Sequence, residues 1–270
     1  MHRTIYTDHV QRSERRRVII RAVDSGERSV SELVSLTGAS AISVRRDLAE
    51  LAEQGALRRV RGGAAPVTSR GSEYPFAIRR SEDAAEKTLL ARAAAAMIAP
   101  GDSVLIDNGT TALAVAQELA GLGITALALS LHAAAALART PGNEVIVPGG
   151  PVGHDDLAFT GAGTAEAIRA MRFDVAILGA CAADPETGLT VASWGDAQVK
   201  RAAMESSRRV VLVSTPDKFT RTAAHRFGTF RDLDTIVTLP GVPPAVAHEA
   251  KEAGVEVVTA ITEHATALHG

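Results

Sequence analysis

Four apolar runs constrain this chain more than any other feature: Val104-Leu105-Ile106, Val145-Ile146-Val147, Val175-Ala176-Ile177-Leu178 and Val210-Val211-Leu212-Val213. None alternates with polar residues, so a strand built from any of them has two faces to bury. Stretches with the 3.6-residue spacing of amphipathic helices separate them, and strands of this kind alternating with helices form a mainly parallel sheet covered by helices. The spacing predicts helices over 82–99, 111–119, 131–138, 164–171, 197–205 and 245–253. It predicts strands over 103–107, 124–130, 144–148, 175–179, 210–214, 235–239 and 255–258. The fold class is α/β, with this body spanning 81–270.

The amino-terminal part reads differently. Residues 37–48, Thr-Gly-Ala-Ser-Ala-Ile-Ser-Val-Arg-Arg-Asp-Leu, have the form of a turn and recognition helix. Gly38 reverses the chain, Ser40 is placed to cap the next helix, and Ser43, Arg45 and Arg46 fall near its amino end. A preceding helix carries Val18, Ile19, Ala22 and Val23 and ends at Gly26. A second, capped by Ser29 or Ser31, buries Val30, Leu33, Val34 and Leu36. In the third, Ile42, Val44, Leu48 and Leu51 are read as inward and Gly55 closes the helix. Beyond it, Leu57 and Val60 alternate with Arg58, Arg59 and Arg61 before a turn at Gly62-Gly63, the pattern of a basic two-stranded wing. Guanidinium groups on such a wing position a module on phosphate without reading sequence.

The candidate DNA-contacting residues are therefore Ser40, Ser43, Val44, Arg45, Arg46, Arg58, Arg59, Arg61 and Gly62. Neighbours on a helix diverge by roughly 100°, so Arg45 and Arg46 are expected to divide the work, one on a base or phosphate and one partly structural. Asp47 is placed to hold one of them. The competing reading is an ordinary three-helix module with solvated arginines; the consecutive order of cap, glycine turn, polar face and basic wing argues for DNA.

Charge follows the same division. The net charge of −2 conceals a basic head, +4 over residues 1–66, and an acidic remainder of −6. The expected organisation is an arm over 1–13, a winged helix-turn-helix over 14–66, a linker over 67–80 rich in Ser, Thr, Gly and Pro, and the body. One cysteine excludes an intrachain disulfide, no apolar run is long enough for a membrane span, and the first residues lack a secretory apolar core; a cytoplasmic protein is expected. Cys181 reads as a small buried hydrophobe. The histidines show no metal-ligand spacing, so neither metal nor cofactor is expected, and no catalytic residue is assigned.

In parallel α/β sheets, ligands bind beyond the carboxyl ends of the strands. Those ends carry Asp107-Asn108-Gly109-Thr110-Thr111, Ser130, Gly149-Gly150, Gly179 and Lys218. A glycine with two hydroxyl residues at a helix start offers backbone N–H groups and a favourable dipole to an anion such as phosphate, although the same turn is also an ordinary capped helix start. Lys200 and Lys218 are candidates for positive charge, and Asp196 or Asp217 for accepting sugar hydroxyls. Asp196 and Lys200, four apart, alternatively form a simple intrahelical pair.

Taken in order, Val-Arg-Arg-Asp-Leu, Arg-Val-Arg-Gly-Gly-Ala, Glu86-Lys87, Asp-x-Gly-Thr-Thr, Gly149-Gly150, Gly188-Leu189-Thr190, Val199-Lys200 and Lys218-Phe219 resemble the DeoR-type transcriptional regulators across nearly the whole chain. The resemblance implies a winged helix-turn-helix and a sensor domain similar to ribose-5-phosphate isomerase and CoA-transferase folds. It implies repression of a sugar-catabolic operon, a homo-oligomer on double-stranded operator DNA, and a grip altered by a phosphorylated sugar or similar anion. It assigns Asp107, Gly109, Thr110 and Thr111 to the phosphate and sugar cradle, with Gly149, Gly150, Lys200 and Lys218 around it. The chain departs from the family pattern at Ala128-Leu129, at Cys181-Ala182, at Asp196 and near Thr215, which makes one wall of the cradle less polar.

Two rivals stand beside this reading. An isomerase-like enzyme would want carboxylates where Cys181 and Ala182 stand. The other is a DNA-binding protein whose body only oligomerises. A dinucleotide enzyme is disfavoured, because Gly161-Ala-Gly163-Thr-Ala-Glu lacks the third glycine.

Overall fold

The computed structural model describes residues 12, 15–20, 22–23, 26–53, 55–66 and 76–261. The arm read at 1–13, Arg12 apart, and the first part of the linker, 67–75, lie outside the described residues. Two units are distinguished, Met1–Glu82 and Asp83–Gly270.

In the first unit, residues 15–20 and 22–23 are helical (α1), followed by β1 (Arg28–Ser29), α2 (Val30–Thr37), α3 (Ala41–Glu53), β2 (Arg58–Val60), β3 (Gly63–Ala65) and α4 (Phe76–Ser81). Ser29 and Glu32 form a reciprocal capping box at the start of α2: the Glu32 N–H donates to Ser29 Oγ at 3.2 Å and the Ser29 N–H donates to Glu32 Oε2 at 2.7 Å. Gly38 then adopts φ 65°, and its N–H closes α2 on the Val34 carbonyl. Ile19, Ile20, Val23, Leu33, Val44, Leu48, Leu51 and Leu57 share one core. Leu36, read as inward, is exposed.

The wing pairs antiparallel in the order β1-β3-β2. The latter part of the expected linker is not a linker: α4 occupies it, with Phe76 and Ile78 buried and Ile78 in the core of this unit. A short amphipathic turn outweighs the polar composition of the residues before it.

The second unit contains α5 (Ala84–Ala95), β4 (Ser103–Ile106), α6 (Thr110–Glu118), β5 (Thr125–Ala128), α7 (Leu131–Leu137), β6 (Glu144–Ile146), α8 (Ala162–Arg169) and β7 (Phe173–Leu178). It continues through β8 (Ala182–Asp184), β9 (Gly188–Val191), α9 (Trp194–Glu205), β10 (Ser207–Val213), β11 (His225–Gly228), β12 (Thr235–Thr238), α10 (Pro244–Glu252) and β13 (Glu256–Thr259). Among the described residues, β13-β12-β10-β7-β4-β5-β6 form one sheet, every neighbouring pair parallel.

The doubly apolar runs serve both faces. Val104 and Ile106 pack with α5, α6 and α7, while Leu105 packs on the side of α8, α9 and α10. A small antiparallel sheet, β11-β9-β8, was not foreseen. The chain order matters most for function: β4, β5 and β6 proceed outward in one direction, and β7 then returns to the other side of β4. The crevice between the ends of β4 and β7 is therefore the topological switch point, where open α/β sheets bind ligands.

Candidate functional site

On the first unit the candidate surface is the amino end of α3. Ser40 caps it: the Ser43 N–H donates to Ser40 Oγ at 3.2 Å, and the two hydroxyls lie 3.1 Å apart. Arg45 and Arg46 are exposed and Ser43 is half-buried. Val44 is 0% exposed and belongs to the core, so it is removed from the DNA-contacting set: residues two apart on a helix point to opposite sides, and packing took this one. Its neighbour Ile42, read as inward, is 79% exposed. Ile42, Arg45 and Arg46 have i, i+3, i+4 spacing and so form one stripe. Arg58 and Arg59 are exposed on β2, and Arg61 and Gly62 are exposed in the wing turn, where Gly62 takes φ 83°. Asp47 does not serve Arg45 or Arg46; it is fully buried and faces α1, where Arg15 Nε donates to its Oδ2 at 2.6 Å.

The switch point of the second unit holds a buried ion pair. Asp107, immediately after β4, is 1% exposed, and Lys200, on α9, is 2% exposed. The Lys200 ammonium donates to Asp107 Oδ2, which also accepts the Gly179 N–H at 2.7 Å across from the end of β7. Asp196, one turn earlier on α9, stands 3.9 Å from Lys200 Nζ and accepts a hydrogen bond from Asn108 Nδ2 at 3.0 Å. The Phe227 ring lies 5.7 Å from Lys200 Nζ. Burial alone would lower the Lys200 pKa, but Asp107 and then Asp196 outweigh it and push the pKa up, so the ammonium stays charged. Asp107 Oδ1 is buried and has no hydrogen-bond partner among the described residues.

Five residues read as effector-binding, Asp107, Asn108, Gly179, Asp196 and Lys200, are thus joined in one cluster. Asp196 and Lys200 do form an intrahelical pair, at 3.9 Å, but not an isolated one, because the ammonium engages Asp107 more closely. Beside the cluster, Gly109 precedes α6 with extended backbone and no side-chain cap, leaving the N–H groups at the start of Thr110-Thr111 without one. The remaining candidates sit at other strand ends. Ser130 is buried after β5, where its hydroxyl caps α7 through the Ala133 N–H at 3.1 Å. Gly149 and Gly150 are exposed beyond β6, two strands from β4 and so about 10 Å along the sheet. Lys218 is half-buried in a 3-10 turn, Pro216–Thr220, beyond β10. Cys181 is half-buried and packs against the core.

A helix-turn-helix with an exposed arginine stripe and a parallel α/β unit with a polar crevice at its switch point together define a DNA-binding regulator with a sensor domain. The family described as the DeoR C terminal sensor domain matches residues 82–239, and the DeoR-like helix-turn-helix domain matches residues 15–70. The chain belongs to the DeoR family of transcriptional regulators. It is 35% identical over 252 residues to the glycerol-3-phosphate regulon repressor of Haemophilus influenzae, covering 92% of this chain and 97% of that one. It is 32% identical over 257 residues to the HTH-type transcriptional regulator GlpR of Haloferax volcanii, covering 92% and 98%. It is 30% identical over 250 residues to a putative aga operon transcriptional repressor of Escherichia coli O157:H7, covering 91% and 93%. Among solved structures, ribose 5-phosphate isomerase A of Methanocaldococcus jannaschii overlays 52% of this chain and 56% of its own at 16% identity, a loose likeness with a TM-score of 0.37. Among the described residues no helix is long and apolar enough to cross a membrane.

Proposed function

We propose that this regulator is a cytoplasmic repressor of a carbohydrate-catabolic operon, and that a phosphorylated sugar or related anionic metabolite binds at the β4–β7 crevice and changes its grip on the operator. The observation that carries the effector site is the unpartnered, buried oxygen of Asp107. A buried carboxylate oxygen without a donor is unfavourable, and a ligand hydroxyl delivered there satisfies it. The uncapped start of α6, from Gly109 through Thr110 and Thr111, lies next to it and supplies N–H groups and a helix dipole to the phosphate. A polyol phosphate has both groups, and a bare anion has only one.

Asn108, Gly179, Asp196 and Lys200 then shape the crevice, with Ser130, Gly149, Gly150 and Lys218 on the neighbouring strand ends. At the operator, Ser40, Ser43, Arg45 and Arg46 meet the groove, and Arg58, Arg59, Arg61 and Gly62 approach phosphate. A homo-oligomer would set two recognition helices at the spacing of the half-sites, and the effector acts by binding one arrangement of the bodies more tightly than the other. Two relatives are named as glycerol-3-phosphate regulon repressors, so glycerol 3-phosphate opens the panel of candidates. Footprinting of the DNA upstream of the protein's own gene, at fixed salt and with each candidate added, tests the reading. A protected site whose occupancy shifts with a phosphorylated polyol, and not with the polyol or inorganic phosphate alone, is the expected result. A protected site insensitive to every candidate would leave an oligomerising body instead.

A further inference from the structure

The DNA-binding unit contains a charged cluster that lies away from the exposed stripe of α3. Asp47 projects from the inward side of α3 among Val44, Leu48 and Leu51, and it is 0% exposed. Three arginines surround it, Arg15 and Arg16 of α1 and Arg12. Arg15 Nε donates to its Oδ2 at 2.6 Å, Arg16 Nε lies 3.4 Å from its Oδ1, and Arg12 Nε lies 3.7 Å from the same oxygen. Glu50, one turn further along α3, takes the terminal nitrogens of Arg12 and Arg16.

The apolar contacts of α1 and α3, through Ile19, Ile20 and Val23 against Val44, Leu48 and Leu51, hold the helices together but are non-directional. They allow one helix to rotate or slide against the other. Guanidinium–carboxylate bonds do not, because they need a defined distance and angle, and a buried carboxylate that loses them is left uncompensated. Asp47 stands roughly opposite Ile42, Arg45 and Arg46 around the helix. Whatever fixes Asp47 therefore fixes the direction in which that stripe points.

We propose that Asp47 is the positioning residue of the DNA-binding unit: clamped by Arg15 and Arg16 of α1, it sets the rotation of α3 and hence how well the protein distinguishes its operator from other DNA. This rests on reading α3 as the helix that meets the duplex, and the experiment separates the two claims.

The measurement is the affinity of the full chain for the footprinted operator and for a scrambled duplex of equal length, at one salt concentration, for the native protein, Asp47→Asn and the double variant Arg45→Ala, Arg46→Ala. A fall in folded fraction lowers both affinities by the same factor. A rotated helix lowers the operator affinity alone, because phosphate contacts tolerate rotation and base contacts do not. Asp47→Asn is expected to reduce the operator-to-scrambled ratio at least about tenfold, comparable with losing one good base contact. An unchanged ratio in Asp47→Asn with a reduced one in the Arg45→Ala, Arg46→Ala double variant overturns the clamp and leaves the recognition helix standing; unchanged ratios in both overturn the two together. Where Asp47→Asn melts below the assay temperature, the triple variant Arg15→Leu, Arg16→Leu, Asp47→Leu decides, since apolar groups commonly replace buried ion networks without loss of stability. A folded triple variant with a depressed ratio supports the clamp, and one with the native ratio overturns it.

Discussion

The ammonium of Lys200, on α9, meets the carboxylate of Asp107, at the carboxyl end of β4, with both side chains withdrawn from solvent. The pair ties a helix on one face of the sheet to the strand end where the chain changes direction. One oxygen of Asp107 serves Lys200 and Gly179, while the other is buried with no hydrogen-bond partner among the described residues.

Removing one partner of this pair tests its contribution to stability. Lys200→Met leaves a buried carboxylate uncompensated, which costs about 3–5 kcal/mol. For a unit of this size that corresponds to a fall of roughly 10 °C in melting temperature. The folded Lys200 pKa lies above the ordinary lysine value of 10.5, so the stabilisation is complete below that value and is lost only as pH rises through the higher folded one. Thermal melts of Lys200→Met and the native protein should differ equally at pH 7 and at pH 9; a gap that closes by pH 9 would remove the ion pair as its cause.

The acid side of the stability profile involves a different carboxylate. Asp174 Oδ2 accepts the Ser103 N–H at 3.0 Å and the Ser103 hydroxyl at 2.8 Å. These bonds, the backbone one foremost, hold its pKa below the ordinary 3.8, against a small opposing effect of burial. A depressed carboxylate stabilises above its unfolded pKa and loses that contribution as pH falls through the folded one. Asp174→Asn should therefore be less stable than the native protein at neutral pH and converge with it below about pH 4. Urea titrations across that range check the convergence; a constant difference down to about pH 2.5 would count against it.

Two adjacent glycines in the wing are expected to differ sharply. A Cβ on Gly63 would lie 2.0 Å from the Arg28 carbonyl oxygen and 2.9 Å from Ser29 Cα, so β1 and β3 could no longer pair. A Cβ on Gly62 meets open space, and alanine there carries only the left-handed backbone strain, about 1 kcal/mol. Gly63→Ala should lose operator binding in retardation assays, whereas Gly62→Ala should retain most of it. Equal losses would mean that the strand approach is not what sets the wing.

The parallel sheet was legible because Val104 to Ile106 and its counterparts are apolar on both faces, a pattern with few other solutions. The small sheet of β8, β9 and β11 was not: Ala182-Ala183-Asp184 is short and carries no β-branched residue, and although it pairs with β9 across a tight turn, the third strand, β11, joins β9 from far along the chain. In the crevice, the strand-end rule picks out Asp107 and Lys200 is a separate candidate for positive charge, but the two stand 93 positions apart and no local pattern announces their union. Asp47 was read as a partner of its neighbours for the same reason; its actual partner, Arg15, lies 32 positions away. The misplacement of Ile42 had a signal that could have been used. Ile42 and Val44 cannot share a helix face, and Val44 alone keeps the phase of Leu48 and Leu51.

That phase correction gives the sharpest expectation for recognition. Ile42 is exposed on α3 one turn before Arg45 and Arg46, and an apolar side chain there can meet a thymine methyl in the major groove but cannot bind phosphate. Ile42→Ala removes little buried surface, so the melting temperature should stay nearly unchanged. Operator affinity should fall by about 1 kcal/mol if a thymine sits opposite, the scale of burying one methylene group, and the dependence of that affinity on salt should keep its slope, because no counterion release is lost. Arg45→Ala and Arg46→Ala provide the contrast: the arginine on phosphate flattens the salt slope by about one unit, and the one on a base lowers discrimination at a single position. Measuring the three variants against operator and scrambled DNA over a salt series therefore assigns each member of the stripe a separate role. An Ile42→Ala protein indistinguishable from the native one on every duplex would remove Ile42 from the base-reading surface and leave the two arginines to carry it.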